Sequence, residues 1–395
     1  MKPHLPIAEA LAHAKLSASG FKKWATCTMA PAMEDGMPDE DKPWSREGTY
    51  GHKLGEAWLM CYLGGNDGPD VDEAQRLVDP EQCPEAAEFY TPEFGAHVQT
   101  YVDFVVEKIE QLRAEFGAEN VTVLLEQRLD FSRWVPEGFG TADVVIIVPG
   151  RIIVIDLKMG VGVFVDGENN GQLRLYGLGA YNRYSPLYDF DQVEVWIYQP
   201  RKDNVSGEVI PVDGIAGILK WADEVVVPRA AIAWAGLQAF KAGQPVEPTG
   251  ARFAPGEHCA SAFCKARFVC AARARYTLEV AEMPHALNEP AKLSVDQLEA
   301  VVHRAAPAIK WLKDVENYLV EQASAGAVKL KQYKVVEGRS VRQIVDVQAA
   351  AEVLMQNGYK ASSIYKSPEL VGLVELEKQF GALPKSRTSL TGGGG

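Results

Sequence analysis

The chain has 395 residues, 47% of them hydrophobic and 24% charged, the balance of a globular protein long enough for two domains or one elaborated one. No run of about 18 apolar residues is present, so no membrane-spanning helix is expected. The opening MKPHLPIAEALAHAKLS lacks the apolar core and cleavage site of a secretory signal, which makes a cytoplasmic location the expectation. A net charge of −13 speaks against a protein that coats nucleic acid non-specifically, while leaving room for an enzyme with a local basic groove.

Residues 1–44 read as irregular, with Pro31, Pro38, Pro43 and an acidic run from Glu34 to Asp41. A helix is predicted over 46–63 after a Gly-rich start. A second is predicted over 94–116, where Val98, Val102, Val105, Ile109 and Leu112 form a helical stripe. VTVLLEQRLDF (121–131) reads as a strand. Next come two β-branched runs, Val144 to Val148 and Ile152 to Ile155, flanking Pro149-Gly150, which predicts a hairpin. Helical character returns at 171–184, a strand is predicted at 191–200, and a helix over 215–241. A Cys-rich segment, 256–275, precedes a long helix from Leu293 to Glu321 opened by Ser294. Beyond it a short strand (VKLKQYKVVEG) and helices at 346–357 and 367–380 would form a small appended unit, followed by a Ser/Thr/Gly-rich tail expected to be disordered. Strands flanked by helices imply an α/β core around a small mixed sheet.

The hairpin carries the chemistry. Antiparallel pairing brings Asp143, at the start of one strand, beside Asp156, at the end of the other. Side chains alternate faces, so Asp156 and Lys158 share a face and Leu157 points away. The two carboxylates would hold Mg²⁺ or Mn²⁺, with the Leu157 carbonyl as a further ligand and the Lys158 ammonium beside them, placed to hold an attacking water. A surface hairpin closed by a salt bridge is the competing reading. Gln172 and Tyr176, four apart, would share a helix face aimed at a substrate; alone, Tyr176 reads as core and Gln172 as an exposed polar residue. His52 could add an imidazole ligand or simply open a helix. Glu126 is either a further acid near the site or a solvent-facing strand position.

In the reducing compartment expected here, the six cysteines are not expected to pair as disulfides. Cys259, Cys264 and Cys270 follow one another as C-x4-C-x5-C, and Cys27 lies far upstream. Four thiolates suit zinc or a [4Fe–4S] cluster; the one-plus-three spacing is unlike the paired knuckles of zinc ribbons and favours the cluster. Three buried structural thiols are the bland alternative. Cys61 and Cys83 read as ordinary thiols. Lys265, Arg267, Arg273 and Arg275, beside Phe263, Phe268 and Tyr276, would form either a cationic skirt for single-stranded nucleic acid or a solvated helix face.

The series His52, Asp143, Asp156-Leu157-Lys158 and Gln172-x3-Tyr176 resembles the RecB-type branch of the PD-(D/E)xK nucleases, with GTAD, IDLK and QLRLYGLGA in that branch's motif order. One cysteine before and three after is similar to its iron–sulfur subgroup, which includes AddB and the CRISPR-associated RecB-like exonucleases. From about residue 15 to 384 the chain also resembles a group of phage and prophage proteins, opening with Ser17, Ser19, Trp24 and Cys27. The resemblance implies a restriction-endonuclease-like core over 1–284, a helical extension over 285–384 and a disordered tail over 385–395. It implies His52, Asp143 and Asp156 as metal ligands and Lys158 as the catalytic lysine. Gln172 and Tyr176 would position DNA, and Cys27, Cys259, Cys264 and Cys270 would ligate the cluster. Relatives commonly space the first two late cysteines by two residues where four intervene here, so His258 stands as a substitute ligand. The activity implied is an exonuclease on single strands or duplex ends in phage recombination or DNA processing, with a phage single-strand annealing protein as a further partner. A nuclease-fold protein that binds DNA or a partner without cutting is the alternative.

Overall fold

Six helices precede the first strand: α1 (Phe21–Thr26), α2 (Ala30–Glu34), α3 (Pro43–Gly64), α4 (Pro69–Val78), α5 (Pro84–Phe89) and α6 (Pro92–Phe116). The computed structural model describes residues 14–38, 42–64, 69–278, 295–336 and 347–356. Two compact units divide between Gln322 and Ala323.

Five strands form one mixed sheet in sequential order: β1 (Thr122–Asp130), β2 (Phe139–Val148), β3 (Gly150–Leu157), β4 (Phe190–Gln199) and β5 (Asn204–Pro211). Every neighbouring pair is antiparallel except β3 with β4. That parallel step requires a crossover, supplied by α7 (Gly171–Tyr184). The remaining helices of the first unit are α8 (Ile218–Trp221), α9 (Val227–Lys241), α10 (His258–Ser261), α11 (Ala271–Leu278) and α12 (Val295–Ser324), whose last two residues cross into the second unit. The second unit contains α13 (Val347–Gln356).

The predicted hairpin forms in the expected register. Val148 pairs with Arg151, leaving Pro149 and Gly150 as the two loop residues. Gly150 sits at φ +76°, a conformation a side chain would strain. Both strands are apolar on each side because both faces of the sheet are covered. Ile152 and Val154 join a core with α7, while Ile153, Ile155 and Leu157 join a core with α3 and α6. Each such fully buried aliphatic side chain contributes about 1.5–3 kcal/mol. The stripe predicted on α6 is buried as expected. Thr91 caps this helix by accepting from the Phe94 amide at 3.0 Å, Pro92 opens it and Gly117 at φ +85° ends it.

Four expectations change. The irregular N-terminal stretch contains α1 and α2, stitched by Trp24 Nε1 donating to the Ser17 carbonyl at 2.9 Å. The helix read over 215–241 breaks into α8, a π-turn at Ala222–Val226 and α9, because Pro228 cannot donate within a continuous helix. β5 was not foreseen. VKLKQYKVVEG forms no strand within its described part: Val328, Tyr333, Val335 and Val336 are all exposed, so the alternation has no buried face to serve. The helix expected at 367–380 and the tail lie outside the described residues.

Candidate functional site

β2 begins at Phe139, earlier than the sequence suggested, so Asp143 sits midway along it and not at its start. The β2–β3 ladder ends with Val144 opposite Ile155, Asp143 and Asp156 each follow one residue beyond that pair, and the Leu157 amide donates to Asp143 Oδ2 at 2.7 Å. Regular alternation breaks here: Ala142 and Val145 both enter the α7-side core, although three positions separate them. Across the ladder, Glu126 of β1 adopts φ +46°, a strained conformation for a non-glycine residue and one that concentrates at functional sites. The break lets Asp143 reach α3, where its Oδ1 lies 3.0 Å from His52 Nδ1. His52, Glu126 and Asp143 bring their ligand atoms within 4.8 Å of one another. Glu56, one turn after His52 on α3, lines the same recess of about 190 Å³ with Leu59, Tyr101 and Leu157.

On the α7 side, Asp156 is 2% exposed. Gln172 Nε2 donates to its Oδ1 at 3.2 Å and to the Tyr176 hydroxyl at 3.1 Å. Lys158 Nζ stands 2.6 Å from the buried Asp156 Oδ2 and pairs its charge. Asn170 fixes the start of α7 by accepting from the Gln172 and Leu173 amides, which aims Gln172 at the strand end. The Tyr176 ring is buried core, and its hydroxyl accepts from Gln172 beside Asp156.

Burial and charge set the protonation states. Burial opposes the His52 imidazolium, yet Asp143 outweighs it and the ring is pushed up to about 9. Burial likewise works to raise Asp143, but the charge and hydrogen bond of His52, the Leu157 amide and Lys158 hold it below the usual carboxylate range. Asp156 is lifted by burial against the pull of Lys158, with Asp143 adding repulsion. Glu126 rises to about 7 through burial, then Asp143 and Glu56; burial and Asp143 also lift Glu56. Four carboxylates therefore crowd around two cations, an excess of negative charge that repels itself until a cation arrives.

The four expected cluster cysteines meet elsewhere in the same unit. Cys27, Cys259, Cys264 and Cys270, with His258, line one recess of about 390 Å³. Thr28 Oγ1 accepts from the Arg252 amide at 2.9 Å, and Glu34 bridges Lys23 (2.8 Å) and the Lys265 amide (2.7 Å), so the N-terminal helices are tied to the late segment. His258 Nε2 is 3.9 Å from Cys259 Sγ. Burial raises the thiols of Cys27 and Cys264, the latter to about 12. Cys83 is buried and Cys61 half-buried, outside this group. α1 also links the two recesses: the Phe21 ring closes on Gly171, where a Cβ would come within 1.9 Å of it.

The cationic skirt is largely structural. Arg273 is buried and donates to the Arg267 carbonyl; Arg267 lies over Phe268 and donates to the Cys264 carbonyl. Phe268 stacks on Tyr318 of α12. Arg275, Phe263 and Tyr276 are exposed. Sequence reasoning passed over Glu56 and Tyr101. The four-residue spacing of His52 and Glu56 was the available signal for the first; nothing local marked Tyr101. Among the described residues no helix is long and apolar enough to cross a membrane. Residues 13–389 match the family described as "Protein of unknown function (DUF2800)", and the chain belongs to that family.

Proposed function

We propose that this protein is a Mg²⁺- or Mn²⁺-dependent DNA nuclease with a RecB-like, restriction-endonuclease-type core, acting on single strands or duplex ends. One observation carries the reading: Asp143, Asp156, Lys158 and Gln172 converge at the strand ends, with His52 bonded to Asp143 from α3. The donor set fits a hard divalent ion, since it combines carboxylate oxygens with one imidazole, and the ligand atoms of His52, Glu126 and Asp143 lie within 4.8 Å of one another. His52, Asp143, Asp156, Glu126 and the Leu157 carbonyl would hold it. When bound, such an ion activates a water and neutralises the scissile phosphate.

The chain's own groups supply the rest. Lys158, drawn to Asp156 at one strand end, is placed to hold the attacking water and offset charge gathering on the phosphate. Gln172 and Tyr176 form a hydrogen-bonded rail on α7 beside Asp156, suited to fixing the strand next to the scissile bond. An imidazolium at position 52 must give up its proton to serve as a ligand, which links ion binding to pH.

The cysteine recess supports a [4Fe–4S] cluster as a structural staple. Zinc would need sulfurs ~3.8 Å apart, as Zn–S bonds of 2.3 Å in a tetrahedron require. Among the described residues, the group of three or more such donors whose ligand atoms lie within 4.8 Å of one another is His52, Glu126 and Asp143, not the cysteines. Four cysteines lining one recess are the thiolate set such a cluster takes. In a phage recombination setting the trimmed strand would pass to a single-strand annealing protein, the partner this reading implies.

Asp156→Ala and Lys158→Ala test the site. Each should lower metal-dependent cleavage of labelled single-stranded DNA by at least about 10³-fold while the far-ultraviolet circular dichroism stays unchanged. Cleavage at the wild-type rate by either variant would refute the assignment.

A further inference from the structure

Between Lys158 and Gln172 runs a loop whose construction the catalytic reading leaves unexplained. Residues 160–166, Gly-Val-Gly-Val-Phe-Val-Asp, expose Val161 (54%), Val163 (41%) and Phe164 (59%), while Val165 turns inward against the α7-side core. Single exposed apolar side chains are ordinary; three on one tip are not. A loop free to collapse would fold them in. This one is held open by buried polar groups from the neighbouring strand end.

Gln199, 1% exposed, makes three hydrogen bonds to the loop backbone. Its Nε2 donates to the Gly160 and Val163 carbonyls, both at 2.8 Å, and its Oε1 accepts from the Val165 amide at 3.2 Å. Asn204 Nδ2 donates to the Val165 carbonyl at 2.7 Å, and the Gly167 amide donates to Ser206 Oγ at 2.9 Å. Gly167 lies so close to β5 that a Cβ would come within 2.1 Å of the Ser206 carbonyl. Burying that many amide groups is tolerated only where each is satisfied, and here the loop backbone satisfies them. The result is a rigid apolar tip set two residues after Lys158 and ending at the helix that carries Gln172.

We infer that the loop tip formed by Val161, Val163 and Phe164 is a stacking site for an unpaired nucleobase adjoining the scissile phosphate. The proposal rests on the nuclease reading and deepens it by naming the substrate feature engaged. A base presents an apolar π-face that needs no polar partner, and an aromatic ring fixed beforehand meets it without an ordering penalty. Phosphate recognition falls to the strand ends next door, so base and backbone would be held by adjacent parts of one segment. Such a tip favours single strands and frayed ends, whose bases can leave the stack.

The test measures binding apart from cutting. Full-length protein in Ca²⁺ is titrated with a 5′-labelled 12-nucleotide single strand, and with the same strand made abasic at the positions nearest the scissile bond. Phe164→Ser should weaken binding of the normal strand about tenfold, the effect of one lost base–aromatic stack, and of the abasic strand less than about twofold. A 2-aminopurine at that position should be quenched by wild-type protein and not by the variant. Turnover of methyl p-nitrophenyl phosphate in Mn²⁺, which carries no nucleobase to stack, should stay within about twofold. Equal losses on normal and abasic strands, or none on either, would overturn the stacking site and leave the tip to a protein or lipid partner. Base-dependent quenching in a wild-type protein that cuts nothing would instead retain the stacking site and refute the nuclease reading.

Discussion

Two recesses in the same unit treat their titratable groups in opposite ways. At the hairpin end the polar side chains are tied to one another before any ligand arrives: His52 to Asp143, Asp143 to the Leu157 amide, Gln172 to both Asp156 and Tyr176. In the cysteine recess Cys27 Sγ lies 4.0 Å from the Arg252 carbonyl and Cys259 Sγ 3.9 Å from His258. Burial there raises the thiols of Cys27 and Cys264. The first arrangement is tied together by its own side chains. The second joins segments more than 200 residues apart through Glu34, Thr28 and a small apolar cluster of Met29, Ala32 and Leu237. On the proposed nuclease reading, the first recess is the reacting one and the second takes an occupant that is part of the fold.

Removing the sulfur ligands should therefore separate the two most strongly. Cys264→Ser in anaerobically purified protein should abolish a broad absorbance near about 400 nm and lower the melting temperature by at least about 5 °C. Chelating the divalent ion should move that temperature by less than about 2 °C. A colourless wild-type protein, or equal shifts from both treatments, would break the contrast.

A smaller effect probes the bridge between the recesses. Gly171→Ala would drive a methyl group into the Phe21 ring, so α1 and α7 must part. Overpacking of this kind costs about 1–3 kcal/mol in denaturant unfolding. The substitution should also raise KM for a DNA strand, because Gln172 sits on the next residue. An unchanged KM would show that the cysteine segment does not help aim α7.

The smallest expected effect is a pH dependence of stability in ion-free protein. His52 carries a folded-state value of about 9, above its ordinary 6.5. Its contribution is therefore present in full below pH 6.5 and lost as pH rises towards 9. Glu126, lifted to about 7, adds a second loss between its ordinary 4.5 and 7, where the folded state resists giving up the proton. Melting temperatures in chelator should fall across both windows. His52→Gln should flatten the upper window and Glu126→Gln the lower; an unaltered slope in either variant would contradict the charge arrangement described.

Much of this was legible in the chain because it is local. The β-branched runs around Pro149-Gly150 specify a hairpin, and period-two alternation then puts Asp156 and Lys158 on one face. Asp143 and His52 are 91 positions apart, and no local pattern announces that a break in the pleat will turn the acid towards α3. β5 hid behind Gly207, which weakens any strand reading. The glycine is required because a Cβ there would come within 2.2 Å of the Val195 carbonyl. The basic residues around the late cysteines looked like a nucleic-acid surface, yet Arg267 and Arg273 turn inward to bind backbone carbonyls, a use that composition does not distinguish from exposure. Gln199 and Asn204, which fix the loop after Lys158, are polar residues at a strand end and a strand start, and only the fold reveals that they are buried.

Cleavage of a labelled single strand by purified protein, with divalent metal omitted, added and then chelated, tests the central claim most directly. Shortening of the strand should occur only with Mg²⁺ or Mn²⁺, stop on chelation, and be absent from Asp156→Ala. An intact strand under every condition, or cleavage indifferent to metal and to Asp156, would contradict it.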